Sequence, residues 1–346
     1  MKSPQVSAKI LARVIQKINK SFGKDSDTLP LTTFQDSIFS KPSLYIHTGI
    51  LPLDCIFGSG KGVPDGIIEI WGPEGVGKSA ILESILAEAQ RRGYYTILFP
   101  MEYSLEPSRI RSVGLDEKQL IMGEGAETIE DIYDLLKSYV VEIRKNDPNA
   151  VIVVGWDTVA ATPTGSEITE GLAKTDMGKF AALMSRFFRR LVRFLRKNHV
   201  CLVCINQERD SLNPYGPKTT TPGGRAIRFY AWIRARIRVV ERIKSSSGKE
   251  IGIMSEIGTV KNKSGTPPFQ KCLLPIYFSR GIDATEATWE YAKELGVIVR
   301  KGTKYTLNGG LVTRKSFAKL YAKRKNKINK LVRIAARKQM HEDSLG

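Results

Sequence analysis

Cysteine and histidine are scarce in this 346-residue sequence: four of the first (Cys55, Cys201, Cys204, Cys272) and three of the second (His47, His199, His341). Four cysteines over such a length make no disulfide framework. Cys201 and Cys204 form a C-x-x-C, a spacing that invites a redox or zinc reading. They lie, however, in VCLVCINQ, an apolar run that reads as a buried strand. Strand residues three apart point to opposite faces, so the two thiols cannot share a ligand. With the histidines scattered, no metal cluster is visible in the sequence. Long apolar runs are missing too: none approaches the ~20 residues that a membrane-spanning helix needs. The opening MKSPQVSAKILARVIQ carries periodic charge and no hydrophobic stretch with a cleavage site, unlike a secretory signal. The expectation is a cytoplasmic protein with no membrane attachment.

Acidic residues are in short supply as well, 35 against 54 Lys and Arg, which leaves a net charge of +19 at pH 7. The imbalance is concentrated. Residues 301–346 hold thirteen Lys/Arg and only two acids, Glu342 and Asp343. A second basic cluster, RFFRRLVRFLRK, occupies 186–197. A polyanionic partner is the natural reading, with nucleic acid ahead of an anionic membrane. Hydrophobic residues make up 42% of the chain, enough to bury a substantial core.

What is present is more specific. Residues 72–79 read GPEGVGKS and fit the phosphate-loop pattern G-x-x-x-x-G-K-[ST]. Gly72, Pro73, Glu74, Gly75, Val76 and Gly77 form a loop whose backbone N–H groups can close around phosphate oxygens. Lys78 reaches the β- and γ-phosphates, and the Ser79 hydroxyl ligates Mg²⁺. The flanks agree. GIIEIWG (66–72) is a buried strand, and SAILESILAEAQRRG (79–93) has helical spacing and stops at Gly93.

Further along, short apolar runs alternate with helical segments. The runs are YTILFPME (95–102), LIMGE (120–124), AVIVVGWD (150–157) and HVCLVCINQ (199–207); helices are expected at 79–93, 128–145 and 177–197. This is an α/β pattern with a mostly parallel, helix-covered sheet. Residues 229–282 read as antiparallel strands extending that sheet. An amphipathic helix at 5–22 aligns Val6, Ile10, Val14 and Ile18, and the polar GKDSDTLP (23–30) follows it. From 283 a small unit is expected: a helix, a strand pair and a basic helix. The expected division is 1–43, a helix and linker that could pack on its own domain or, as an oligomerisation helix, on a neighbouring chain, which the linker makes credible; 44–282, an ATPase core; and 283–346, a small basic domain.

A phosphate loop needs a second metal-holding carboxylate at the end of a later strand, and AVIVVGWDTVAA supplies Asp157. Glu102, at the end of the strand after the loop helix, falls at the same sheet edge as Lys78 and can activate water. Gln207 ends another strand and suits a γ-phosphate sensor, although a polar strand end is the better reading of Gln207 alone.

The set GPEGVGKS, MEYSLEP, VVGWDTVAA, INQ, TTTPGGRAIRFYA and VKNK, in this order, resembles the bacterial RecA recombinases over residues 5–282, with the divergence of a phage or mobile-element member. The resemblance implies a RecA-like core with a small α/β C-terminal domain, ATP and Mg²⁺ as cofactors, and DNA-dependent ATP hydrolysis by Glu102, Lys78 and Gln207. It implies that Lys261 and Lys263 reach a neighbouring subunit's γ-phosphate, that Phe229 lies at the subunit interface, and that Phe278 lies near adenine. It places DNA loops at 166–178 and 208–224. Met177 and Leu212 would wedge between base triplets, while Arg189, Arg209, Gly223, Gly224 and Arg225 would lie along the backbone. The implied partners are single-stranded DNA, homologous double-stranded DNA and further copies of the chain in a helical filament.

Departures from the family pattern matter too. This sequence ends in a basic helix and HEDSLG rather than an acidic tail, which implies stronger duplex capture. Asp210 and Ser211 stand where the family is more apolar or basic. Two alternatives use the same nucleotide fold: a hexameric helicase motor, which would need an arginine finger where VKNK offers lysines, and a non-catalytic recombination mediator.

Overall fold

The computed structural model describes residues 8–22, 31–33, 44–102, 105–170, 177–211 and 219–343. Contacts divide the chain into two units, Met1–Ser43 and Leu44–Gly346. In the first, α1 (Ala8–Phe22) is the expected amphipathic helix. Asn19 closes it by exchanging two hydrogen bonds with the backbone of Leu31, at 2.7 and 2.8 Å. Its apolar residues Ile10, Leu11 and Val14 remain exposed; Val6 lies outside the described residues.

The second unit opens with β1 (Tyr45–Ile46), α2 (Leu51–Gly58) and β2 (Val63–Pro64). Next come β3 (Gly66–Gly72), α3 (Lys78–Arg91), β4 (Tyr95–Pro100), α4 (Pro107–Ser112), β5 (Leu120–Met122), α5 (Ile129–Asn146) and β6 (Ile152–Asp157). Then follow α6 (Gly165–Glu170), α7 (Met177–Lys197), β7 (Val200–Gln207), the short β8 (Arg209–Asp210) and β9 (Thr219–Thr220), and α8 (Gly224–Tyr230). The long pair β10 (Ile233–Lys244) and β11 (Glu250–Asn262) leads to β12 (Lys271–Tyr277) and β13 (Gly281–Ile282). Last are α9 (Ala284–Glu294), β14 (Ile298–Lys301), β15 (Lys304–Leu307), β16 (Gly310–Val312) and α10 (Arg314–Asp343).

Nine strands form one sheet in the order β13-β12-β11-β10-β3-β7-β6-β4-β5. From β10 to β5 all neighbours are parallel; β10 to β13 are antiparallel. Side chains alternate between two cores, as strand geometry requires. Ile68, Ile70, Leu98, Val153 and Cys201 face one core with α2, α3, α9 and α10. Ile67, Ile97, Val154, Trp156 and Cys204 face the other, with α5, α7 and α8. The sheet therefore separates Cys201 from Cys204, and among the described residues no His/Cys/Asp/Glu group could hold a metal alone.

Two expectations need correction. The strand expected at 95–102 ends at Pro100, with Met101 and Glu102 in a turn; proline offers the ladder no N–H. The strand pair after α9 is a three-stranded sheet, because Gly310–Val312 returns along β15. Beyond residue 283 the elements have no core of their own: Trp289, Phe317, Tyr321 and Val332 join the cluster beneath α2 and α3. Arg337 Nε also donates to the Ser59 carbonyl just past α2, at 3.0 Å.

Candidate functional site

The parallel strands β3, β4, β6 and β7 end together, and their carboxyl ends build the site, as an open α/β sheet favours. β3 runs into residues 73–77, and α3 starts at Lys78. Gly77 caps α3 with φ 97°, in the left-handed region. A Cβ there would meet Ile276 Cδ1 at 2.2 Å, and one on Gly72 would meet the Ile237 carbonyl oxygen at 2.2 Å. Gly72 is thus fixed by packing against backbone, and Gly77 by its φ, since the Ile276 methyl could shift. A support that the sequence did not reveal is Ser255 on β11, whose hydroxyl donates to the Val76 carbonyl at 2.9 Å.

A cavity of about 700 Å³ opens beside this loop. It brings together Lys78, Ser79, Glu102, Asp157, Gln207 and Phe278, from segments up to two hundred residues apart. Lys78 Nζ donates to the carbonyls of Gly72 (3.2 Å) and Pro73 (2.5 Å) of its own loop. Burial lowers its pKa, opposed by Asp157, Glu102, Glu74 and Glu208. Burial raises that of Asp157; a hydrogen bond from Ser79 opposes the rise, and nearby Glu102 adds to it. Asp157 Oδ1 is buried without a hydrogen-bond partner. Gln207 Nε2 donates to Glu102 Oε1 at 3.3 Å.

The site suits a polyphosphate with Mg²⁺. Its donors are a hydroxyl and one carboxylate, hard oxygen ligands that leave most of an octahedral shell to water and phosphate. The orphaned Asp157 oxygen lacks a partner that a cation shell would supply. Glu83 and Arg109 were not foreseen. Arg109 on α4 lines the cavity and donates from Nε to Glu83 Oε2, a buried carboxylate on α3, at 2.9 Å. Burial pushes Glu83 up to about 7 against the pull of Arg109.

Lys261 and Lys263 stand apart from this cavity's lining. Lys261 Nζ donates to the carbonyls of Arg228 (2.6 Å) and Phe229 (2.8 Å), the end of α8. Lys263 lies 5.8 Å from the Phe229 ring centroid, and that ring is 69% exposed.

A second cavity, of about 820 Å³, is lined by Pro163, Phe180, Arg209, Pro222, Gly223 and Gly224 among others. It lies between the described ends of the segments 166–178 and 208–224. Arg189 and Arg225 are exposed on α7 and α8. Met177 is the first residue of α7, with only its backbone described; Leu212 lies outside the described residues. The stem after the second segment is tied to the sheet by a buried array. Asn206 Nδ2 donates to Glu69 Oε1 (2.9 Å) and to the Pro222 carbonyl (3.0 Å). Arg234 pairs with Glu69 and reaches Thr221 Oγ1 at 3.4 Å.

Fold and site together define a phosphate-loop ATPase of the α/β class. The model of the RecA N-terminal domain matches residues 9–283. Protein RecA of Thermus thermophilus is 34% identical over 304 residues, 86% of this chain and 84% of that protein. Protein RecA of Synechococcus sp. (strain CC9902) is 33% identical, over 87% of this chain and 76% of its own. Protein RecA of Crocosphaera subtropica is 30% identical over 97% and 93%. The chain belongs to the RecA family. It is a recombination and strand-exchange protein and a DNA-dependent ATPase.

Proposed function

We propose that this protein is a cytoplasmic recombinase that polymerises on single-stranded DNA as a helical filament. ATP and Mg²⁺ would lie between subunits, and the bound strand would be paired with homologous duplex. The observation that carries this reading is the Gln207–Glu102 hydrogen bond inside the cavity that holds Lys78, Ser79 and Asp157. Gln207 ends the strand that leads into the second loop, so one residue faces both phosphate and DNA segments.

Lys78 leaves its own carbonyls to bind the β- and γ-phosphates. Ser79 and Asp157 would hold Mg²⁺, which would supply positive charge to the phosphoryl oxygens. Glu102 accepts a proton from water, and Gln207 orients Glu102. Phe278, 67% exposed at the cavity edge, offers a face to the base. Lys261 and Lys263 supply positive charge to the next subunit's nucleotide, beside the exposed Phe229. ATP held between two subunits stabilises their contact, which links nucleotide to assembly. The exposed apolar face of α1 in 1–43 suits a neighbouring core. Residues 44–282 form the motor, and the basic 283–346 segment admits duplex DNA. Met177, Leu212, Arg189, Arg209, Gly223, Gly224 and Arg225 contact the single strand.

Electron microscopy with single-stranded DNA, Mg²⁺ and a non-hydrolysable ATP analogue tests this against a nucleotide-free control. Nucleotide-dependent helical filaments are expected. Closed rings would overturn the reading in favour of a helicase, and no assembly would favour a mediator.

A further inference from the structure

The α7 helix carries more positive charge than the site described above uses. It contains Lys179, Arg186, Arg189, Arg190, Arg193, Arg196 and Lys197 and not one acidic residue. Its inner face is settled: Met184, Phe187, Phe188, Leu191 and Leu195 are buried against the sheet. Arg196, only 10% exposed, is settled as well, paired with the buried Asp65 and lying over the Trp232 ring.

Arg186, Arg190 and Arg193 differ. They recur at i, i+4 and i+7 and share one helix face, opposite the apolar stripe. All three are exposed. None makes an ion pair or hydrogen bond among the described residues. A solvated helix face usually mixes signs, and i, i+4 like charges repel. Three unpaired guanidiniums in one row therefore weaken the isolated helix, which makes them a poor device for stability alone.

The row also lies outside the cavity between the two loops. Among the described residues of α7, only Phe180 and Ala181, near its first turn, line that cavity. A strand held there by Arg209 and the glycines, and by Arg189 on the near flank of α7, would leave Arg186, Arg190 and Arg193 uncovered, because on the helix surface Arg189 falls between Ala181 and this row. At 1.5 Å rise per residue the row spans roughly 10 Å. That equals about three phosphate intervals along one strand of a duplex, at ~3.4 Å each. Guanidinium forks match phosphate oxygens in pairs.

We propose that Arg186, Arg190 and Arg193 form a track for the phosphate backbone of the incoming duplex, separate from the path of the first strand. This rests on the strand-exchange reading above. The track recognises phosphates and no base edges, so it is indifferent to sequence.

The test compares wild type with R186Q/R190Q/R193Q, leaving Arg189 unchanged. Filament formation and ATPase on single-stranded DNA are read first, then capture of labelled duplex by preformed filaments across a salt series. Circular dichroism and thermal denaturation report folding, and R186K/R190K/R193K restores charge without the fork. Expected are single-strand ATPase within about twofold and duplex capture at least about tenfold weaker. The salt slope should fall by about 2.7, or ~0.9 per cation removed, and the lysine variant should recover that slope. Unchanged duplex capture and slope would overturn the track. So would a loss confined to single-strand binding, or a loss of assembly with capture per filament unchanged. Failure of the wild type to form filaments would sink the underlying reading instead, and the two failures are distinct.

Discussion

Gln207 and Glu102 meet across 105 residues of sequence: the amide of one donates to the carboxylate of the other at 3.3 Å. The bond sits where β7 and the turn after β4 converge on the phosphate loop. It joins the end of the strand that leads into the 208–224 segment to a carboxylate that lines the cavity beside Lys78.

Replacing Glu102 by Gln keeps this shape and removes the base. DNA-stimulated turnover should fall by about 10²-fold or more, while nucleotide affinity changes severalfold at most. Gln207→Ala removes the bond that orients Glu102, so it should lower basal hydrolysis severalfold and abolish its stimulation by DNA. Steady-state ATPase with and without single-stranded DNA checks both, and unchanged turnover in the Glu102 variant would remove the water-activating role.

Lys261 gives a pH dependence. Burial pushes its amine down to about 8, helped by Lys263 and Arg234 and opposed by Glu69. The unfolded chain holds this proton up to ~10.4, so between the two values folding stability rises with pH. Function should move the other way. As pH rises through 8 the charge offered to a neighbouring subunit is lost, and filament-dependent ATPase should decline. Lys261→Arg stays charged, so its profile should be flat there even at a lower rate. A decline of the same midpoint in both proteins would assign the titration elsewhere.

Glu83 contributes in the opposite sense. Burial pushes its carboxyl up to about 7 from an ordinary 4.5. The folded chain therefore binds more protons than the unfolded chain between those values, and stability falls as pH rises through the interval. Glu83→Gln should flatten that fall, seen as a smaller melting-temperature difference between about pH 5 and pH 8. The same variant frees Arg109 at the cavity wall, so KM for ATP should rise severalfold with kcat less affected.

Trp156 is fully buried next to Asp157. Its indole donates to Thr162 Oγ1 at 2.8 Å, and its ring lies 5.5 Å from that of Phe187. Trp156→Ala should cost about 3–5 kcal/mol, read from urea unfolding. Trp156→Phe should cost less, because it loses the hydrogen bond and keeps most of the packing.

The sequence made the local chemistry legible. The strand, glycine loop and helix around Lys78 are contiguous, and the limits of α7 are set by its own 3.6-residue period. The fate of Cys201 and Cys204 followed from strand alternation alone. Glu102, Asp157 and Gln207 could be placed because parallel strands with intervening helices end on one side. Partners that depend on register across the sheet were hidden. Nothing near Ser255 announces Val76, which lies 179 residues away. Glu83 reads as an ordinary helix residue until Arg109 arrives from α4. Glu69 and Asn206 were obscured by the apolar runs that contain them.

The stem of the second loop is seated on the sheet through Asn206, Glu69 and Arg234, all polar contacts. Apolar surfaces tolerate small slips, whereas hydrogen bonds weaken steeply once their angle is lost. Detaching the stem would leave the Pro222 carbonyl and an Asn206 N–H without their partners, at ~1–3 kcal/mol, while Glu69 and Arg234 stay paired on the sheet. The seat is thus all-or-none, and while it holds it fixes the backbone from Thr221 onward. Asn206 adjoins Gln207, so whatever unseats the stem also disturbs the nucleotide cavity in one step, as a trigger does and a spring does not.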